Sequence, residues 1–207
     1  MILSKLSNPE ISISDELFER MIQFAITLLD GGNEQVQKSI FKHFITHNSS
    51  ELFFLKLHER FLQEIHFLKK FSELEDITSN EKMNEEMSSI LRLLQLFAEG
   101  HFSDLQNYIR QQYNSYHSYD LLVDMSDLLN AYMQTRHSAF FEPMLQCFDT
   151  LTEFIQGPCR ENQIAILQGS FLDLAANLLS VKIKILWVTF LDWWGWRWFI
   201  GKEGQEN

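Results

Sequence analysis

Apolar residues recur at steps of three and four along most of the chain, the pattern of helices that each bury one face. Residues 15–29 carry Leu17, Met21, Phe24, Ile26 and Leu28, and the stretch after Asn33 carries Val36, Ile40, Phe41 and Phe44. Residues 51–71 follow with Leu52, Leu55, Leu57, Phe61, Ile65 and Leu68, and 87–98 with Ile90, Leu91, Leu94 and Phe97. The same spacing predicts helices over 102–112, 120–133, 139–156 and 160–180. No segment sustains the alternation of a strand, so the chain reads as all-α, about eight helices joined by short turns.

The breaks between these segments carry recognisable stop and start chemistry. Gly31-Gly32, Gly100 and Gly157-Pro158 end helices, since glycine suits a left-handed cap and proline cannot continue the ladder. Asn33 and Ser103 are placed to cap the helices that follow, and Ser12 to Asp15 resembles a helix start. Residues 1–14 are polar, with Pro9, and read as a lead-in. Residues 72–86 are polar and acidic without apolar periodicity, which predicts a loop or disordered insertion.

Three of the breaks share a pattern. Three residues before Gly31, Gly100 and Gly157 stand Leu28, Phe97 and Phe154. Six residues after them stand Gln37, Gln106 and Gln163, and nine after them Ile40, Ile109 and Ile166. The glycines are 69 and 57 residues apart, too irregular for a simple array. They fit a degenerate helical repeat with inserted material, as in an armadillo-like solenoid. Chance likeness of helix ends followed by amphipathic helices is the simpler rival.

Composition narrows the function classes. A chain of 207 residues can bury a substantial core, and the few proline and glycine residues (three and eight) agree with a mostly helical chain. A net charge of -11 argues against nucleic-acid binding through phosphates and is compatible with cation binding. The two cysteines, Cys147 and Cys159, make no disulfide framework and point to a reducing compartment. The N-terminus has no charged-then-apolar leader pattern.

Candidate chemistry is sparse. Glu153 and Gln156 share a face of the last turn before Gly157, where unpaired carbonyls make an added carboxylate unfavourable unless a cation sits there. Glu99 ends another helix, beside Gly100 and His101. Together Glu99, His101, Glu153 and Gln156 could gather ligands around Ca2+. On chemistry alone the better account is a pair of solvated helix ends, because no loop supplies the alternating acids of an EF-hand. His43 and His47 have zinc-like spacing without a Glu or a nearby Cys, and read as a solvated face. Cys159 stands beside Arg160 at a helix start but lacks a His-carboxylate partner, and reads as a packed structural residue. Nothing in the chain supports an enzyme: there is no phosphate loop, nucleophile elbow or basic aromatic strip.

The end of the chain differs in kind. All five Trp fall within 187–198. The apolar run 185–200 is sixteen residues long and contains Asp192 and Arg197, short of the roughly twenty residues of a membrane span. It suits a membrane interface, but the abrupt change in composition favours a foreign reading frame, such as translated intron, attached to a truncated domain.

Three blocks carry a resemblance. Leu28 to Gln37 (LLDGGNEQVQ), Leu93 to Gln112 (LLQLFAEGHFSDLQNYIRQQ) and Leu151 to Gln163 (LTEFIQGPCRENQ) resemble the homology-associated domain shared by inositol trisphosphate receptors and ryanodine receptors, in that family's order. Leu52 to Ile65 is more similar to the inositol trisphosphate branch, whereas the Glu99-Gly100-His101 block also occurs in the ryanodine branch. The resemblance covers roughly residues 24–179 and fails after Leu179, which divides the chain into a lead-in (1–14), a helical domain (15–180) with a polar insertion near 72–86, and an anomalous tail (181–207).

The resemblance implies a regulatory, coupling segment of a tetrameric, ligand-gated Ca2+-release channel, lying on the cytosolic face of the endoplasmic reticulum. Its partners would be other segments of the same channel. Membrane contact would come through the intact channel, or through residues 185–200. The family's activating Ca2+ site takes glutamates from two blocks that match Glu99 and Glu153 here, with His101 and Gln156 at the neighbouring positions. A backbone ligand, the pore and the inositol trisphosphate pocket belong to other parts of the family's chain. An incomplete ligand set implies Ca2+ binding that is weak, on the order of millimolar, or absent in this piece. The alternative is a stand-alone helical scaffold that keeps the fold without channel activity.

Overall fold

The computed structural model describes residues 15–47, 50–71, 80–135 and 137–168. They form α1 (Asp15–Leu29), α2 (Glu34–Thr46), α3 (Ser50–Phe71), α4 (Asn80–Ala98), α5 (Ser103–Arg110), α6 (Leu121–Thr135), α7 (Phe141–Ile155) and α8 (Arg160–Gln168). Single turns of 3-10 helix, Glu99–His101 and Ser138–Phe140, precede α5 and α7. No strand occurs among the described residues. The Trp-rich tail, the lead-in, the segment 72–79 between α3 and α4 and the second half of the helix expected over 160–180 lie outside them.

The helices associate in a fixed order. α1 packs on α4 and α4 on α7; α2 packs on α5 and α5 on α8; α3 packs on α6. Every third helix therefore stacks on its counterpart, which is compatible with an armadillo-like solenoid. The glycine register coincides with this order: α2, α5 and α8 each begin three residues after Gly31, Gly100 and Gly157, all of which have left-handed φ (69, 74 and 75°).

The apolar faces close over one another as the periodicity requires. Met87, Ile90, Leu91, Leu93, Leu94, Leu96, Phe97 and Ala98 make α4 buried on nearly every side over its last turns. The abundant phenylalanine fills the space between layers: Phe44 of α2 stacks on Tyr108 of α5 at 5.8 Å and meets Phe53 and Phe54 of α3 at 5.5 and 5.1 Å. Such ring pairs add specific geometry to area burial.

Two expectations need correction. Residues 80–86, read as the end of a polar insertion, are the first turns of α4. Lys, Glu and Met are good helix formers, and Glu86 meets Arg60 of α3 at 3.3 Å, so the helix extends without an apolar stripe. Ser103 is the first residue inside α5 and not its cap; Phe102 occupies the cap position without a side-chain bond. Asn33, by contrast, caps α2 as expected, its Oδ1 accepting from the Val36 amide at 3.3 Å. Among the described residues no helix is long and apolar enough to cross a membrane.

Candidate functional site

The three glycine junctions are linked in series, because the glutamines that follow the first two glycines each reach the helix end of the next repeat. Gln37 Nε2 donates to the carbonyls of Leu96 and Glu99 at 2.9 and 2.8 Å. Gln106 Nε2 donates to the carbonyls of Glu153 and Gln156 at 2.7 and 3.1 Å. In both cases the acceptors stand four and one residues before the left-handed glycine. Both glutamines are buried, so each amide satisfies carbonyls that a helix end leaves without intrahelical donors. The shared glutamine is thus a structural device of the repeat.

This device holds the backbone of both candidate acids: Gln37 binds the carbonyl of Glu99, and Gln106 binds that of Glu153. Close packing adds to it. The Glu99 side chain lies over Gly32, where an added Cβ would come within 3.2 Å of its Cγ. His101, itself at φ 62°, lies over Gly157, where an added Cβ would come within 3.2 Å of its ring carbon.

The charge of Glu99 reaches Glu153. Burial raises the Glu153 pKa, the negative charge of Glu99 raises it further, and His101 opposes this; Asp149 adds to the rise and Arg92 lowers it. Glu99 Oε2 is buried and has no hydrogen-bond partner among the described residues. A carboxylate oxygen held out of water beside a second carboxylate is costly, and a cation relieves both penalties. Carboxylates suit Ca2+, a hard ion that takes roughly six to eight oxygens. The fit is partial: no three His, Cys, Asp or Glu residues among those described assemble into a metal-holding group. Gln156 lies at the end of α7, with its carbonyl occupied by Gln106.

Asp149 and Arg92 escaped the sequence reading although spacing could have found them. Asp149 is one turn before Glu153 on α7, and Arg92 of α4 stands seven residues before Glu99 in the turn that follows that helix.

The remaining candidates are structural. His43 and His47 stack with ring centroids 4.2 Å apart, and His47 Nδ1 is engaged with the His43 carbonyl at 3.1 Å. Cys159 is buried with Sγ 3.0 Å from the Gln156 carbonyl, and burial raises its thiol pKa, so it packs as a structural residue.

Residues 81–179 match the family described as RyR and IP3R Homology associated. The chain is also similar to the inositol 1,4,5-trisphosphate receptor itr-1 of Caenorhabditis elegans, 28% identical over 197 residues. That match covers 87% of this chain and 7% of the receptor, so the chain spans a small part of its relative's length.

Proposed function

The chain belongs, through residues 81–179, to the RyR and IP3R homology associated family, and from that premise we propose that it acts as a regulatory, coupling segment of an intracellular Ca2+-release channel. In this reading it lies on the cytosolic face of the endoplasmic reticulum membrane and works against other segments of a tetrameric channel. Glu99 and Glu153, with Gln156 and His101 beside them, contribute part of an activating Ca2+ site. The observation that supports the site is a Glu99 oxygen buried without a hydrogen-bond partner among the described residues, beside which burial, aided by the charge of Glu99, raises the Glu153 pKa. A repeat that fixes both backbones against each other suits a part that transmits ligand occupancy between helices. The homologues are channel segments, and no catalytic role is part of this reading.

Calorimetric titration of the chain with Ca2+ tests the site. Binding on the order of millimolar is expected, as for Ca2+ modules with few protein ligands, and Glu99→Gln with Glu153→Gln should abolish it. Micromolar binding that survives the double substitution overturns the assignment.

A further inference from the structure

The register accounts for one glycine at each junction, and the first junction has two. Gly100 is followed by His101 and Gly157 by Pro158, whereas Gly31 is followed by Gly32. Both glycines of the pair are left-handed, with φ 69° at Gly31 and 67° at Gly32. His101 occupies the same position of the next junction at φ 62°, so the backbone alone does not demand glycine there. The two glycines differ in what faces them. A Cβ on Gly31 would meet nothing within 4 Å, whereas one on Gly32 would come within 3.2, 3.5 and 3.6 Å of Glu99 Cγ, Cβ and Cδ. The stem of Glu99 thus runs across the face that a side chain on residue 32 would fill.

The turn that carries Gly32 is held firmly. The amides of Gly32 and Asn33 both donate to the Leu29 carbonyl, at 2.9 and 3.3 Å, and Leu29 is fully buried. Asn33 caps α2, and five residues after Gly32 the Gln37 amide donates to the Glu99 carbonyl at 2.8 Å. The first repeat therefore meets this acid at two points, its backbone through Gln37 and its stem through Gly32. We propose that Gly32 is a positioning residue for Glu99: its bare face sets the path of the side chain and, with it, the place of the carboxylate. The functional meaning of this role rests on the reading of Glu99 as a Ca2+ ligand. A methyl group added at residue 32 is not relieved by turning the carboxyl end alone, because Cβ and Cγ of Glu99 are in contact as well. With the turn anchored, the acid is the partner that moves.

Gly31→Ala and Gly32→Ala form a matched pair, since both place alanine at nearly the same left-handed φ and only the second meets Glu99. Nuclear magnetic resonance of the full 13C-labelled chain without Ca2+ reads the side-chain carboxyl carbon of Glu99. Its resonance should shift in Gly32→Ala and stay in place in Gly31→Ala. In titrations with Ca2+, Gly32→Ala should weaken binding about tenfold, the scale of a lost outer-shell partner, and Gly31→Ala less than about twofold. A Glu99 resonance that moves equally in both variants or in neither overturns the proposal, and so does an equal loss of Ca2+ affinity. Circular dichroism controls for folding. If Gly32→Ala does not fold, Gly32→Ala combined with Glu99→Ala should regain the helical signal, and failure to regain it overturns the proposal. Ca2+ binding that survives Glu99→Gln with Glu153→Gln defeats the Ca2+ reading instead, and the ion-free resonance still decides the role of Gly32.

Discussion

Gln106 joins two helices through a single amide, and its loss should register as a defect of the junction. Gln106→Leu leaves the carbonyls of Glu153 and Gln156 without that donor in a buried place, and should cost about 1–3 kcal/mol in chemical denaturation. Gln106→Glu should cost at least as much, since it aims acceptor oxygens at carbonyls. Equal stability of Gln106→Leu and wild type would remove the glutamine from its structural role. The glycines separate backbone from contact in the same way. Gly100 and Gly157 share a left-handed φ, but an added Cβ meets open space at Gly100 and the His101 side chain at Gly157. Gly100→Ala should therefore cost about 1 kcal/mol, and Gly157→Ala roughly 1 kcal/mol more, as a thermal melt would report.

At the scale of elements, α3 and α6 meet over a buried carboxyl. Glu64 accepts from Tyr132 Oη at 3.3 Å, and burial, aided by the charge of Glu86, raises its pKa to about 7. The folded state then binds more protons than the unfolded state between about pH 4.5 and 7. Stability from this group is fully present below the unfolded value and is lost as pH rises through 7. Glu64→Gln keeps the acceptor for Tyr132 and removes the charge. It should raise stability at pH 8 by roughly 2 kcal/mol and flatten the profile across that window, measured by urea unfolding at a series of pH values. A profile unchanged by Glu64→Gln would show that Glu64 ionises freely in the folded chain. Elements were readable where their burial is one-sided: α1 and α3 follow the apolar period, and the second half of α4, buried on nearly every side, was readable from its dense apolar content. The first turns of α4 were not, because residues 80–86 are held by helix propensity and by Glu86 against Arg60, neither of which leaves a period. The start of α5 was misjudged for a backbone reason. Gly100 and His101 are both left-handed, which moves the chain's entry to Phe102. Helix-end chemistry named the candidate acids but favoured solvated ends, and only the family resemblance paired them, since no local pattern brings two helix ends together. The glutamines were visible as a period, but their function needed the stacking that puts residue 106 beside residue 153.

For the whole molecule, stacking has a consequence for stability along the chain. In a stacked array each layer gains from its neighbours, so a layer held on both sides outlasts one held on a single side. The layer formed by α4, α5 and α6 is held by α1, α2 and α3 on one flank and by α7 and α8 on the other. Its helices also bury closely spaced apolar residues, Leu91, Leu93, Leu94, Leu96 and Phe97 on α4 and Leu121, Leu122, Met125, Leu128 and Leu129 on α6. Native-state hydrogen exchange should thus find the slowest amides in α4 and α6, and faster exchange in α1 and α8, whose outer faces carry Phe24, Leu28, Ile164 and Leu167. The same experiment distinguishes the glutamine junctions from generic packing. Gln37→Leu should speed exchange at the end of α4 with little effect on α7, whereas Gln106→Leu should speed it at the end of α7. If either substitution accelerates every helix equally, the chain opens as one cooperative unit, and the junctions transmit their loss to the entire fold instead of holding separate layers together.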